Sequence, residues 1–355
     1  MKKKLNRDQI KNASTYILVT VAFIILQLLS AQGKLNSTTK GFLVPACAYI
    51  VLAVSLNLLV GICGELSLGH AGFMGIGAFI GIIVTSLLAE AVPNGVLRLV
   101  IGMIVGGVLA GLVGFVIGIP VLRLRGDYLA IVTLAFGEIM KNIIGNLYAG
   151  TDSEGFHIAV STGKMKLGQG GEYIINGPLG ATGVQRIATF TMGFLLVLFT
   201  LFVVQNLINS KEGRAIRAVR DNRIAAESVG INVTAFRMKA FVVSAFLAGM
   251  AGALFGLNYS SVTASKFNFN TSINILVFVV LGGMGNILGS VISATVLYVL
   301  PEAMRGLQDY RMILYAIVLI LVMLFTWSPK VKEFMSVIAD KVFGVFKKKE
   351  AGTNE

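Results

Sequence analysis

Runs of about 20 apolar residues recur along this chain and constrain its fold more than any other feature. Such a run is long enough to cross the hydrocarbon core of a bilayer as a helix. Charged residues make up 13% of the 355 residues, whereas soluble domains carry about 25%. Residues 96–120, VLRLVIGMIVGGVLAGLVGFVIGIP, lack the apolar–polar alternation of membrane β-barrel strands. The sequence therefore predicts an all-α polytopic membrane protein.

The apolar runs define a series of candidate spans, one of which glycines interrupt. The spans cover about 15–31, 42–63, 66–89, 96–119, 127–149, 188–208, 238–258, 272–300 and 311–327. The span 272–300 contains LGGMGN and is too long for one simple crossing. We expect it to form two shorter arms around a glycine turn. The total is then about 8–10 transmembrane segments, including this glycine-interrupted, re-entrant pair.

Lysine and arginine are distributed unevenly between the two sides of the predicted membrane. If the N-terminus is inside, twenty of the thirty basic residues fall on the inside and nine on the outside. The positive-inside rule then predicts that both termini are cytoplasmic. Because the net charge of +13 lies in short loops and tails, it does not indicate a nucleic-acid-binding surface. The predicted regions are a cytoplasmic tail (1–14), a transmembrane domain (15–327) with an outer loop (150–187) and an inner segment (209–237), and a basic cytoplasmic tail (328–355).

Residues 64–79, GELSLGHAGFMGIGAF, place five glycines, Glu65 and His70 within apolar sequence. Charge is costly in lipid, and glycine is a poor helix former in water. Interrupted helices expose backbone polar groups, which is tolerated only inside protein or beside water. The stretch therefore either lines a translocation path or is a tightly packed crossing with Glu65 at the water interface. A weaker echo, LGGMGNILG, occurs at 281–289.

Small residues four positions apart predict close helix packing elsewhere in the chain. They are Gly102 and Gly106, Gly107 and Gly111, Gly114 and Gly118, and the stripe Ser244, Ala248, Gly252 and Gly256.

Signals for metal binding and catalysis are weak. His70 is one of only two histidines, which argues against a multi-histidine metal site and leaves a ligand, a proton relay or a packed, hydrogen-bonded residue as its roles. Cys47 and Cys63 lie in apolar runs and are expected to be buried, without a disulfide or a metal. Glu138 and Lys141 are expected to pair or to meet the outer interface. The motifs G-x-x-x-x-G-K-[ST], H-E-x-x-H and G-x-S-x-G do not occur, so we expect a chain that is not an enzyme and binds no cofactor itself.

The inner segment 211–239, KEGRAIRAVRDNRIAAESVGINVTAFRMK, repeats arginine every three residues from Arg214 to Arg223. Apolar residues lie between the arginines, and Gly230 fits a helix stop. The pattern predicts one amphipathic helix on the cytoplasmic side. This helix either binds anionic lipid or docks a cytoplasmic partner, and the short apolar patch and the turn at Gly230 favour docking.

Four blocks in order resemble the permease subunits of bacterial branched-chain amino acid ABC importers, in particular the type usually called LivM. The blocks are LSLGHAGFMGIGAF, LRLRGDYLAIVTLAFGEI (122–139), GRAIRAVRDNRIAAESVGINV (213–233) and FNFNTSINILVFVVLGGMGNILGSVISATVLYVLPEAMR (267–305). The resemblance covers about residues 41–327. It implies an ABC importer permease fold in the bacterial cytoplasmic membrane.

The resemblance also implies partners and a cargo. The partners are a second homologous permease subunit, two cytoplasmic ABC ATPases that hold ATP and Mg²⁺, and an extracytoplasmic amino-acid-binding protein. The cargo is leucine, isoleucine or valine. Urea, amides or other amino acids are the alternative cargo of a related permease. An intramembrane enzyme and a passive channel are further alternatives.

Two sets of residues receive roles from the resemblance. The block 213–233 is similar to the ABC importer coupling motif, although Ile224 stands where an acidic residue often precedes the two alanines. The expected ATPase-coupling residues are Arg214, Arg217, Arg220, Ala225, Ala226, Glu227 and Gly230. The expected translocation path contains Ser67, Gly69, His70, Gly72, Phe73, Gly75, Gly282, Gly283 and Gly285.

Overall fold

A computed structural model describes residues 7–32, 37–124, 126–152, 155–160, 171–303, 316–317 and 320. The chain divides into two units, Met1–Val296 and Leu297–Glu355, and nearly all of the described residues belong to the first. Apart from three positions, the predicted span 311–327 and the tail 328–355 lie outside the described residues. Most of the tail 1–14 also lies outside them or has undescribed side chains.

Helices dominate the described residues, as the apolar runs predict. They are α1 (Arg7–Ala31), α2 (Ser37–Asn57), α3 (His70–Leu87), α4 (Gly95–Val121), α5 (Asp127–Gly145), α6 (Phe190–Asn209), α7 (Lys211–Asp221), α8 (Arg223–Ser228), α9 (Val233–Gly256), α10 (Phe269–Gly282) and α11 (Ile287–Ala303). Within the described part of the chain, six apolar stretches have the length to cross a membrane, and three shorter apolar helices accompany them. The prediction of a polytopic helical membrane protein is confirmed.

Helices α3, α4 and α9 pack together through the small residues that the sequence marks. Gly77 of α3 lies against the backbone of Gly249, and a Cβ at Gly106 would lie 2.8 Å from the Gly77 carbonyl oxygen. A Cβ at Gly252 would overlap with the carbonyl of Met74. The backbones touch because these positions lack a side chain, so the close packing predicted for the stripes is confirmed.

Glycine turns interrupt the helical path at two places. After Asn57, α2 continues as a π-helical turn (Leu58–Cys63) that ends at Gly64, whose φ is +78°. Gly283 and Gly285, also with positive φ, separate α10 from α11. Glycine adopts this backbone conformation without the steric penalty of a Cβ. The long run 272–300 therefore forms two helices around a glycine turn, while a re-entrant path for them stays a prediction.

A small antiparallel sheet occupies much of the segment treated as an outer loop. Its strands are β1 (Tyr148–Asp152), β2 (Gly155–Ala159), β3 (Glu172–Asn176), β4 (Ala181–Thr182) and β5 (Ser261–Val262), in the spatial order β2-β1-β3-β4-β5. The strands are too short for their alternation to emerge from a Gly-, Ser- and Thr-rich sequence. Since α9 follows α8 and leads to β5, the sheet and the α7–α8 pair lie at opposite ends of the helices.

Candidate functional site

The two glycine interruptions meet at Asn57. This buried side chain donates a hydrogen bond from Nδ2 to Ser290 Oγ at 2.8 Å, and its Oδ1 accepts one from the Gly285 backbone N–H at 2.7 Å. Gly61 packs directly on Gly285, because a Cβ there would overlap with the Gly285 backbone. Sequence reasoning missed Asn57, although a lone amide within the apolar run around SLNLLVG is a usable signal.

His70 begins α3 and is almost fully buried, with 1% of its surface exposed. Its Nε2 lies 2.8 Å from Ser55 Oγ. The next backbone N–H, that of Ala71, donates to Ser272 Oγ at 3.0 Å. This hydrogen-bonded position supports the packing role among the three roles left open for His70.

The other predicted path residues of α3 pack against neighbouring helices. Gly69 and Gly72 lie against the α5 backbone, where a Cβ at Gly72 would come within 3.0 Å of Gly137 Cα. Phe73 contacts the rings of Phe136 and Phe241, with centroids 4.9 and 5.6 Å apart.

The residues of the predicted path differ in how deeply they are buried. Ser67 is buried, and its hydroxyl has no hydrogen-bond partner among the described residues, while Gly75 lies under the ring of Phe267. Gly282, Gly283 and Gly285 in the second interruption are only half-buried. The structure thus buries the predicted path residues of the first interruption and leaves those of the second half-buried, and their assignment to a translocation path stays a prediction.

Glu65, in the first interruption, forms an ion pair. Its Oε1 lies 2.5 Å from Nε of Arg237, whose side chain is 4% exposed. Arg237 also donates from Nη1 to the Leu122 carbonyl at 2.9 Å. The arginine neutralises the carboxylate and ties the interruption to the ends of α4 and α9. The sequence does not predict this partner, because Arg237 lies 172 positions from Glu65.

The basic inner segment forms two helices, so the prediction of one helix is wrong. Asn222 separates α7 from α8, and its Oδ1 accepts a hydrogen bond from the Ala225 N–H at 3.0 Å. Such an N-cap favours a new helix start at this residue. Gly230, with φ +82°, follows α8 as the predicted stop.

The apolar residues of this segment divide into two groups. Ile216 and Val219 are buried beneath α7, and Val219 joins a small core with Ala226. In contrast, Ile224 and Val229 are 80% and 74% exposed. The α7–α8 pair therefore presents an apolar patch, Ile224 and Val229, on its outer face.

The expected coupling arginines do not all face outward. Arg214 and Arg217 donate to the carbonyls of Asn209 and Ile208, both at 3.2 Å, and so cap the end of α6. Arg220 instead donates from Nη1 to the Gly61 carbonyl at 2.8 Å.

The α8 residues named for coupling differ in exposure. Ala225 is exposed, whereas Ala226 is buried. Glu227 forms an ion pair with Arg223 at 3.0 Å. Ala225, together with Ile224 and Val229, is therefore open to contact with a partner.

A cavity of about 210 Å³ lies at the sheet end of the helices. Arg98 and Glu172 contribute opposite charges to its lining, and Arg98 donates to Gln185 Oε1 at 2.9 Å. The cavity is smaller than the roughly 300–1,000 Å³ of sites for drug-sized ligands, so it has room only for a small polar molecule or water.

The remaining candidates for chemistry are either paired or buried. Glu138 pairs with Lys141 as predicted, and also accepts a hydrogen bond from the Phe269 N–H at 3.1 Å. Cys47 and Cys63 are buried with free thiols. In the described part of the chain, no three His, Cys, Asp or Glu side chains cluster as metal ligands would.

Comparison with known proteins identifies the family of this chain. Residues 38–324 match the family described as "Branched-chain amino acid transport system / permease component". The chain belongs to this family of permeases. It is 34% identical over 295 residues to the high-affinity branched-chain amino acid transport system permease protein LivM of Salmonella typhimurium, covering 79% of this chain and 67% of that protein. The resemblance seen in the sequence blocks is thereby confirmed.

Other relatives agree with this assignment. LivM of Escherichia coli K12 is also 34% identical, with the same coverage of both chains. The permease protein LivH of the same organism is 23% identical over 300 residues, covering 82% of this chain and 92% of LivH. The chain is thus closer to LivM than to LivH. No solved structure matches it.

Proposed function

We propose that this permease is one subunit of an ATP-driven importer that carries leucine, isoleucine or valine across the bacterial cytoplasmic membrane. The observation that carries the proposal is the match along residues 38–324, together with the LivM relatives whose names specify branched-chain amino acids. In this assembly a second homologous permease subunit completes the pathway. An extracytoplasmic binding protein delivers the amino acid, and two ABC ATPases bind and hydrolyse ATP with Mg²⁺.

The α7–α8 pair is the part of the chain suited to receive the ATPases. Its exposed apolar patch, Ile224 and Val229, favours docking to a protein surface over purely electrostatic contact with lipid head groups. The excess of basic residues on the same side supports a cytoplasmic position, with both termini inside. The sheet at the opposite end then faces the binding protein.

Alternating access follows from this arrangement. Closure of the ATPases moves α7–α8, and the helices that contact the pair rock between outward-open and inward-open states. The binding protein supplies the selectivity, so a weakly binding, largely apolar path is sufficient for the permease. The glycine interruptions let the backbone bend beside that path.

The proposal is tested by uptake of radiolabelled leucine into vesicles that contain the co-expressed complex, with the binding protein outside. We expect uptake only with ATP inside. Urea is assayed in parallel. Uptake of urea without leucine would overturn the cargo but keep the architecture, whereas ATP-dependent uptake of neither by a verified complex would overturn both.

Gly230→Val tests the docking role in the same assay. Gly230 has a positive φ and open space around it, so valine strains the backbone by about 1–2 kcal/mol without a clash. Gly183→Val, at the sheet end, is the matched control, because Gly183 has a similar φ of +72° and no neighbour within 4 Å. We expect Gly230→Val to abolish coupled uptake in a chain that still inserts, and Gly183→Val to retain it. Equal uptake by the two variants would contradict docking at the end of α8.

A further inference from the structure

The α7–α8 pair is connected to the two glycine interruptions by a short series of direct contacts. Gly61 lies in the last turn of the π-helical segment, where carbonyl groups lack partners within the helix. Arg220 Nη1 supplies the missing donor at 2.8 Å. The Arg220 side chain of α7 thus holds the first interruption through the Gly61 backbone carbonyl.

The guanidinium of Arg220 is oriented for this bond. Its Nε and Nη2 both donate to Asp221 Oδ1, at 3.0 and 2.8 Å, which leaves Nη1 directed at the Gly61 carbonyl. The aliphatic stem lies against Gly64, where a Cβ would lie 2.6 Å from Arg220 Cγ. Although the Arg220 side chain is 37% exposed, contacts hold both its aliphatic stem and its guanidinium.

The contacts continue from the first interruption to the second. Gly61 packs on Gly285, and Gly285 donates its N–H to Asn57 Oδ1. Asn57 also holds Ser290 of α11 through Nδ2. Two elements that are more than 220 residues apart in sequence are therefore joined by one buried amide.

We propose that Arg220 and Asn57 are positioning residues that make α7 and both glycine interruptions move as one unit during transport. The inference rests on the proposed function, because it assigns the route by which motion of α7–α8 reaches the helices beside the path. Arg220 holds the first interruption to α7, and Asn57 holds the second interruption to the first. Loss of either residue should separate ATP hydrolysis from transport.

The test uses the complete complex in proteoliposomes with its binding protein. Leucine uptake and ATP hydrolysis are measured together, and their ratio is the readout. Arg220→Ala and Asn57→Ala should each lower leucine moved per ATP by about fivefold or more, the low end of typical coupling between sites. Hydrolysis should continue. Arg220→Lys, which keeps a donor and the charge, should partly restore the ratio.

Controls separate this role from loss of charge or of folding. Lys211→Ala removes an exposed cation from the same helix and should leave the ratio unchanged. The double variant Arg220→Ala/Asn57→Ala should be no worse than the poorer single variant, because both residues act in series. If Asn57→Ala does not assemble, Ser290→Ala removes its contact to α11 and takes its place.

Several results would overturn the proposal. A wild-type ratio in Arg220→Ala would do so, as would effects of the two substitutions that multiply in the double variant. Parallel loss of hydrolysis and uptake in Arg220→Ala would show that Arg220 serves ATPase docking instead. These outcomes differ from failure of the proposed function, in which the wild-type complex itself shows no ATP-dependent uptake.

Discussion

Replacing Gly249 by alanine tests how far the contact between α4 and α9 depends on a missing side chain. The new Cβ would lie 2.7 Å from the Gly106 carbonyl oxygen and 2.5 Å from Ala110 Cβ. Ordinary contact begins at 3.4 Å, so the helices would need to separate by roughly 0.7 Å to relieve the carbonyl contact. Overpacking of this kind costs about 1–3 kcal/mol. Alanine regains about 1 kcal/mol of helix propensity.

The expected net loss is therefore up to about 2 kcal/mol in the free energy of unfolding, or up to about 30-fold in the equilibrium constant. It is measured by titrating the purified chain in mixed micelles with SDS and following helical circular dichroism. Gly111→Ala is the matched control in the same interface, because its Cβ would lie 3.5 Å from Phe246 Cβ, an ordinary contact. Equal unfolding midpoints for the two variants would refute the reasoning.

Three further predictions use the same titration. Arg237→Gln should destabilise the chain by about 3 kcal/mol, because it leaves the Glu65 carboxylate without its partner. Adding Glu65→Gln should recover much of that loss, and losses that simply add in the double variant would contradict this. Ser55→Ala should cost about 1–3 kcal/mol by removing the hydroxyl that pairs with Nε2 of buried His70, and an unchanged midpoint would count against that bond. Burial lowers the pKa of Lys266, so the folded state binds fewer protons than the unfolded state. The stability of the wild type relative to Lys266→Gln should therefore rise with pH across the window from that lowered value up to the ordinary lysine pKa of about 10.4, and a difference that stays constant with pH would contradict this.

The chemistry of the bilayer explains why so much of the fold is predictable from the sequence. A backbone in lipid must satisfy its own hydrogen bonds, so an apolar run of sufficient length is a helix. Glycine clusters at 64–77 and 282–285 mark both interruptions, although Gly72, Gly75 and Gly77 lie within α3 and allow close packing. The small stripes on α4 and α9 predict close packing for a similar local reason.

The sheet and the break at Asn222 were not predictable in this way. The strands are two to five residues long, and their stability depends on pairing with distant partners rather than on local alternation. At Asn222 a side-chain cap outweighs an amphipathic arginine pattern that continues through the residue. In both cases the deciding interactions are not visible in sequence periodicity.

The membrane class, the approximate helices, the glycine interruptions and the family all follow from the amino-acid sequence alone. Which residues meet across the interruptions depends on the tertiary packing. Asn57 with Gly285, Arg220 with Gly61, and Arg237 with Glu65 are pairs separated by more than 150 residues. Hydrophobic length and helix periodicity are properties of neighbouring residues. Pairing of polar groups in the interior depends instead on which helices come together, because a buried charge or amide takes its partner from whichever backbone or side chain lies next to it.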